Sequence, residues 1–266
     1  MKGVVTSVCL CLAALASLVL AAPGPTDPTF PRTGQEWTPE YLMNPDELGD
    51  YFEGDIQLPL PPRATNGMLD EKYRWTDGKV YYKFDPTFRL TWHRKKVIAA
   101  MDKYEELTNN CITFHERTDE KDYILFILRS EDTCHSAVGR RGGKQNIVYT
   151  RECIKSKGSI MHQMYHALGF EHEQSRSDRD EYVTIMWDNI EFEKKKNFEK
   201  KDSDTVTPFG EAYDYGSVMH YGRDAFATNN GKDTIVTKDP AYQGVIGQRK
   251  GLSDVDIRKL LKMYKC

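Results

Sequence analysis

His162, His166 and His172 sit in the stretch His162-Gln-Met-Tyr-His166-Ala-Leu-Gly169-Phe-Glu-His172-Glu173. Residues four apart on a helix share one face, so His162 and His166 can converge on a single ion. Gly169 tolerates positive φ, so it can stop the helix and turn the chain until His172 returns to the same point. Three neutral imidazoles with one position left open form a catalytic-type zinc site, whereas structural sites are closed. The competing reading is three ordinary histidines on a polar helix face. Three of the chain's seven histidines at this spacing, with the glycine between them, favour the metal.

A second motif follows, Ser217-Val-Met219-His220-Tyr221-Gly222. The histidine stretch resembles the metzincin signature and this segment resembles its Met-turn. The residues after the third histidine, Glu173-Gln-Ser-Arg-Ser-Asp-Arg-Asp-Glu-Tyr-Val, narrow the likeness. Together they are similar to the astacin family of secreted zinc endopeptidases, over nearly all of Asn66 to Cys266. The resemblance implies one zinc ion per chain on His162, His166 and His172. It implies that Tyr221 is a fifth ligand at rest, which swings away to stabilise the tetrahedral intermediate. Met219 would be the apolar floor under the metal, and Glu173 the partner of the amino terminus freed by maturation.

One position departs from the pattern. The residue after the first histidine is a glutamate in the signature, where it takes a proton from water and passes it to the leaving amine. Gln163 has the same size, but its amide cannot hold that proton near neutral pH. A zinc ion supplies Lewis acidity, polarising a carbonyl and acidifying water. General acid–base work contributes about 10²–10⁴-fold in rate, so its loss predicts little or no peptidase activity. Without the glutamate charge the site is also one unit more positive.

Upstream, Tyr51-Phe52-Glu53-Gly54-Asp55-Ile56 looks like the family's Phe-x-Gly-Asp latency motif. There Asp55 would fill the zinc's open position in the latent form. A carboxylate is a good zinc ligand, and Gly54 lets the backbone come close. Read without the family, Gly-Asp is merely a turn.

Around these motifs the chain has 266 residues, a formal net charge of −3 and a pI near 6.2, which gives no reason to expect nucleic acid as a partner. Lys2, an apolar run from Val4 to Leu20 and the small Ala21 and Ala22 read as a secretory signal over residues 1–22. That run is short for a membrane span, and no later segment is long and apolar enough to be one. Residues 23–65 read as a pro-segment, rich in Pro and acidic residues up to about residue 48 and unlike a sequence that folds alone. Pro61-Pro62-Arg63 suits a trypsin-like activating protease cutting after Arg63, while the family's mature start falls nearer Asn66, leaving Ala64 or Asn66 as the first residue. Residues 66–266 are the expected peptidase domain. With the chain ending at Cys266, no accessory module is expected. Cys9 and Cys11 fall in the signal, and the other four cysteines allow three pairings in an oxidising compartment. The resemblance implies Cys111–Cys266 and Cys134–Cys153.

The elements that must position the site are legible in part. Lys79 to Phe84, Ile112 to His115 and Tyr123 to Leu128 read as strands. Thr91 to Leu107 reads as an amphipathic helix with Val97, Ile98, Met101 and Tyr104 inward. Ser159 to Leu168 is the expected zinc helix. Ser253 to Tyr264 is the last helix, with Ser253 and Asp256 as a capping pair and Ile257, Leu260, Leu261 and Tyr264 as its buried stripe. The charged run Glu191 to Asp204 reads as a solvated helix and loop. The fold class is α+β. The resemblance implies two lobes: a twisted mixed sheet with the zinc helix in the N-terminal one, and an irregular C-terminal one with a terminal helix.

The function the resemblance implies is a secreted, extracellular zinc metalloendopeptidase zymogen acting on proteins or peptides outside the cell, impaired by Gln163. The alternatives are a zinc-binding pseudopeptidase that binds peptides or partners without cleavage, and a secreted domain whose metal only stabilises it.

Overall fold

Strands β1 (Lys79–Phe84), β2 (Thr113–Glu116), β3 (Tyr123–Arg129), β4 (His135–Ser136) and β5 (Lys144–Thr150) form one sheet in the order β2-β1-β3-β5-β4. The structure is a computed structural model that describes residues 44–57, 67–68, 70–130, 133–201, 208–228 and 232–266. The signal reading and the cleavage region 63–66 lie outside the described residues. Pairings β1–β2, β1–β3 and β3–β5 are parallel, and the two-residue edge strand β4 runs antiparallel to β5. The near-continuous apolar run of β3 suits a parallel strand covered on both faces.

Helix α1 (Thr91–Leu107) and helix α2 (Lys157–Ala167) pack with this sheet around the main core, which holds Val97, Met101, Phe126, Tyr149, Met161 and Tyr165. In α1 the inward residues are His93, Val97, Ala100, Met101 and Tyr104. Ile98, expected among them, is 38% exposed. It lies about 60° beyond Met101, outside a buried arc centred near Tyr104 and Val97. Helix α2 starts two residues earlier than its sequence pattern suggested. Ser156 caps it, accepting the Ser159 N–H at 3.2 Å.

Helix α3 (Asp254–Tyr264) begins with the expected capping box: Ser253 Oγ accepts the Asp256 N–H at 2.9 Å, and Asp256 Oδ2 accepts the Ser253 N–H at 3.0 Å. Ser253→Ala should lower stability by about 1 kcal/mol. An unchanged thermal midpoint would mean that side-chain packing alone holds the helix. The buried face differs from the expected stripe. It is Asp256, Lys259, Leu260 and Met263, with Ile257, Leu261 and Tyr264 only half-buried. Two charged residues turn inward because both find buried partners, described below.

The second half is irregular. A smaller core of Val183, Ile185, Phe198, Tyr213, Tyr221 and Ile235 gathers round the two-stranded ladder of β6 (Val183–Ile185) and β7 (Ile235–Thr237). The charged run here is only partly solvated. Asn197 and Phe198 are fully buried, and the Lys201 side chain is 12% exposed. Their partners lie far away in sequence, which a local charge pattern does not reveal. Cys111 is bonded to Cys266 and Cys134 to Cys153, so the end of α3 is tied to the turn after α1. No helix among the described residues is long and apolar enough to cross a membrane.

Candidate metal centre

Helix α2 carries His162 and His166 one turn apart, with ring centroids 4.7 Å from each other. Gly169 then adopts φ +112°, and a Cβ there would come within 2.6 Å of Met263 Cε. That turn brings His172 back, 5.3 Å from the His162 ring and 4.8 Å from the His166 ring. All three rings are buried.

Each ring is oriented by a bond at Nδ1. His162 Nδ1 donates to the Val218 carbonyl at 2.8 Å, His166 Nδ1 to the Phe170 carbonyl at 2.7 Å, and His172 Nδ1 to Glu53 Oε2 at 2.8 Å. With Nδ1 protonated, the Nε2 atoms are left to face one another. Asp55 enters this space from 107 residues upstream. Its Oδ2 lies 2.8 Å from His162 Nε2, and its Oδ1 lies 3.3 Å from both His166 Nε2 and His172 Nε2. One ligand atom from each of these four residues falls within 4.8 Å of every other. His166 Nε2 and Asp55 Oδ1 are buried without a hydrogen-bond partner. Buried polar atoms left unsatisfied in this way, on a donor set of three imidazoles and a carboxylate, fit a zinc ion.

The charges follow from this packing. Burial alone would raise the Asp55 carboxyl, but the imidazoles of His166, His172 and His162 hold it well below the usual carboxylate range. Burial, helped by the Arg249 guanidinium, lowers His162 to about 4. His172 is lowered by burial, yet Asp55 and Glu53 carry it up to about 9. A proton and a metal ion therefore compete for the same nitrogen of His172.

Gln163 is fully buried beside the histidines. Its Nε2 donates to Asp55 Oδ2 at 2.5 Å, and its Oε1 has no hydrogen-bond partner. An ionised carboxylate only accepts, which fixes the amide's orientation. The Tyr221 hydroxyl, also buried, donates to the Glu53 carbonyl at 2.6 Å. Met219 lies in the main core, and its carbonyl accepts the Glu173 N–H at 3.0 Å. The Glu173 carboxylate accepts from Lys259 Nζ at 2.9 and 2.6 Å and from Arg176 Nη1 at 2.9 Å. Burial raises Glu173, but Lys259 and Arg176 outweigh it and bring the group down to about 2.

Residues 44–57 are held by more than Asp55. Gly54 has φ +84°, and Asp55 and Ile56 lie along the edge strand: the Ser136 N–H donates to the Asp55 carbonyl at 2.9 Å, and Gln57 N–H to the Ser136 carbonyl at 2.8 Å. Asp46 Oδ2 accepts from Arg249 Nε and Nη2 at 2.9 and 2.6 Å, and Glu47 Oε1 from Arg249 Nη2 at 3.0 Å. Burial raises Glu47 to about 7 in spite of Arg249. Lys201 Nζ reaches Glu53 Oε1 at 2.7 Å and Glu171 Oε2 at 3.2 Å, and lies 4.1 Å from the Phe52 ring centre. Asp46, Glu47, Glu53, Lys201, Arg249 and Lys259 escaped the sequence reading. The one local signal was charged residues inside apolar or glycine-rich surroundings, such as Arg249 after Gly247-Gln248.

Residues 67–265 match the family model described as Astacin, a peptidase family. Zinc metalloproteinase nas-4 of Caenorhabditis elegans is 35% identical over 227 residues, which cover 82% of this chain and 70% of that one. Astacin-like metalloendopeptidase of Gallus gallus is 41% identical over 231 residues, covering 84% of this chain and 53% of that one. This chain thus spans about half the length of the chicken protein. Among solved structures, high choriolytic enzyme 1, a hatching enzyme zinc-protease from Oryzias latipes, aligns with a TM-score of 0.68 and 37% identity over 76% of this chain and 100% of its own. The histidine geometry, the α+β architecture and these relatives place the chain in the astacin family of zinc metalloendopeptidases.

Proposed function

We propose that this chain is a secreted astacin-type zymogen whose cleft binds one zinc ion and whose turnover is held low by Gln163. Residues 1–22 are its signal and residues 23–65 its pro-segment. The observation that carries the reading is the Asp55 carboxylate lying against Nε2 of all three histidines. Zinc, when bound, supplies Lewis acidity toward a peptide carbonyl. The domain itself orients His162 and His166 through the Val218 and Phe170 carbonyls, while in the uncut chain Glu53 orients His172 and Asp55 keeps water from the cluster. Departure of residues 44–57 would free the Tyr221 hydroxyl from the Glu53 carbonyl and open the edge strand to an extended peptide.

A trypsin-like protease cutting after Arg63 is the proposed activator. A mature start near Asn66 is supported by the residues just after it: Gly67 pairs with Phe170, and the Met68 N–H donates to the Gly169 carbonyl at 3.0 Å. Extracellular proteins or peptides are the proposed substrates. A zinc-binding pseudopeptidase is the second reading, favoured by the Gln163 amide. The casein-cleavage rate of the natural chain beside that of Gln163→Glu separates the two readings.

Metal analysis of purified full-length protein tests the site. One equivalent of zinc per chain is expected, with thermal stability falling when a chelator removes it. Protein recovered without bound zinc, and unable to take it up, would sink the assignment of the centre.

A further inference from the structure

We infer that Lys259, on the C-terminal helix, is the resident cation that positions the third metal ligand, so that His172 is set before any new amino terminus exists. The inference rests on the zinc reading of the centre but not on peptidase activity. Glu173 directly follows His172, and its carboxylate is a hub. Besides Lys259 and Arg176, it accepts the Asp214 N–H at 3.0 Å, while its own N–H is bonded to the Met219 carbonyl. It thus joins the metal loop, the Asp214 turn and the Met-turn in one buried network.

Family resemblance assigns the partner of this carboxylate to an ammonium group created by cleavage. In the uncut chain an ammonium is already there. Lys259 Nζ contacts both oxygens of Glu173, and both side chains are 1% exposed. Arg176 alone would not balance the hub, because its Nε and Nη2 are given to Asp178 at 2.9 and 2.7 Å. Lys259 is itself fixed: the helix is capped by Ser253, and Asp256 one turn earlier takes the Ser217 hydroxyl at 2.6 Å and the Val218 N–H at 2.9 Å. Val218 is the residue whose carbonyl orients His162. One helix therefore touches the supports of two metal ligands, through Asp256 on one side and Lys259 on the other.

Outer partners of metal ligands typically change metal affinity by about 10–100-fold when removed. Full-length protein is the sample, with zinc affinity measured by competition against a chromogenic chelator and thermal midpoints measured on the zinc-free forms. Lys259→Met and Lys259→Gln should each bind zinc about 10–100-fold more weakly than the natural chain. Lys259→Arg, which keeps the charge, should bind it without measurable change. Lys259→Gln keeps a hydrogen-bonding group and serves if the Met variant does not fold. Unchanged zinc affinity in either neutral variant would overturn the inference, whatever happens to the zinc-free midpoint. An equal loss in Lys259→Arg would overturn it too, since charge would then not be the cause. A natural chain that binds no zinc removes the metal reading itself, whereas natural binding with unaffected variants removes only the role of Lys259.

Discussion

Gln163→Glu is expected to raise the peptidase rate of the processed chain by about 10²–10⁴-fold, the usual worth of a positioned general base. The peptidase domain supplies the rest: His162 and His166 oriented by the Val218 and Phe170 carbonyls, His172 returned to them by the turn at Gly169, a buried tyrosine hydroxyl nearby, and position 163 itself pressed against the place where Asp55 now sits. The amide lacks only a site for a proton. Trypsin-treated Gln and Glu forms compared on casein give the readout, with Gln163→Ala as the third arm. The Ala form should match the natural chain. Equal rates for Gln and Glu would sink the idea that the natural chain is chemically crippled.

The same exchange should loosen latency. In the uncut chain the Gln163 amide donates to ionised Asp55 at 2.5 Å. Glutamate there would set two carboxylates in contact, and one would have to take up a proton. A hydrogen bond to a charged group is worth about 1.5–3 kcal/mol, so a peptide spanning Phe52 to Ile56 should bind the Glu form about 10–100-fold more weakly. Fluorescence anisotropy reads this without needing activity. Equal or tighter binding to the Glu form counts against it.

Asp46→Ala should remove about 3–5 kcal/mol from the folded full-length chain, the usual cost of stripping one partner from a buried ion pair. Arg249 and Asp46 are 0% and 1% exposed, and Asp46 meets the guanidinium through two bonds. Asp46 Oδ1 also accepts the Ser159 hydroxyl at 2.9 Å, at the start of α2. Glu47 stays in contact with Arg249 and should keep the loss toward the lower end; removing both carboxylates should reach the upper end. Urea unfolding in the presence of chelator separates this anchor from the one at Asp55. A loss below about 1 kcal/mol, the size of an exposed pair, would show that water reaches the guanidinium.

These anchors mark the line between what could be read and what could not. Spacing alone assigned the metal: His162 and His166 on one helical face, Gly169 at a positive φ, and His172 returning to them. Local chemistry likewise placed β1, α1 and the Ser253–Asp256 cap, because each depends on residues only a few positions apart. Ile98 was misplaced by one step round α1, since periodicity gives the arc but not the centre of its buried side.

Buried charges were beyond reach. Lys201 looked like one more member of a solvated run, and Lys259 lay outside the expected apolar stripe of the last helix. The sequence by itself determined that three imidazoles converge, the missing proton acceptor and the local elements that present them, because those follow from helical geometry and side-chain chemistry. That Asp55 meets the histidines was expected from the family resemblance and not from local pattern; only the tertiary structure decided that Asp46 and Glu47 meet Arg249, and that Lys259 lies on Glu173. A charge can leave water only where an opposite charge meets it, and nothing in the local pattern tells how far along the chain that partner lies.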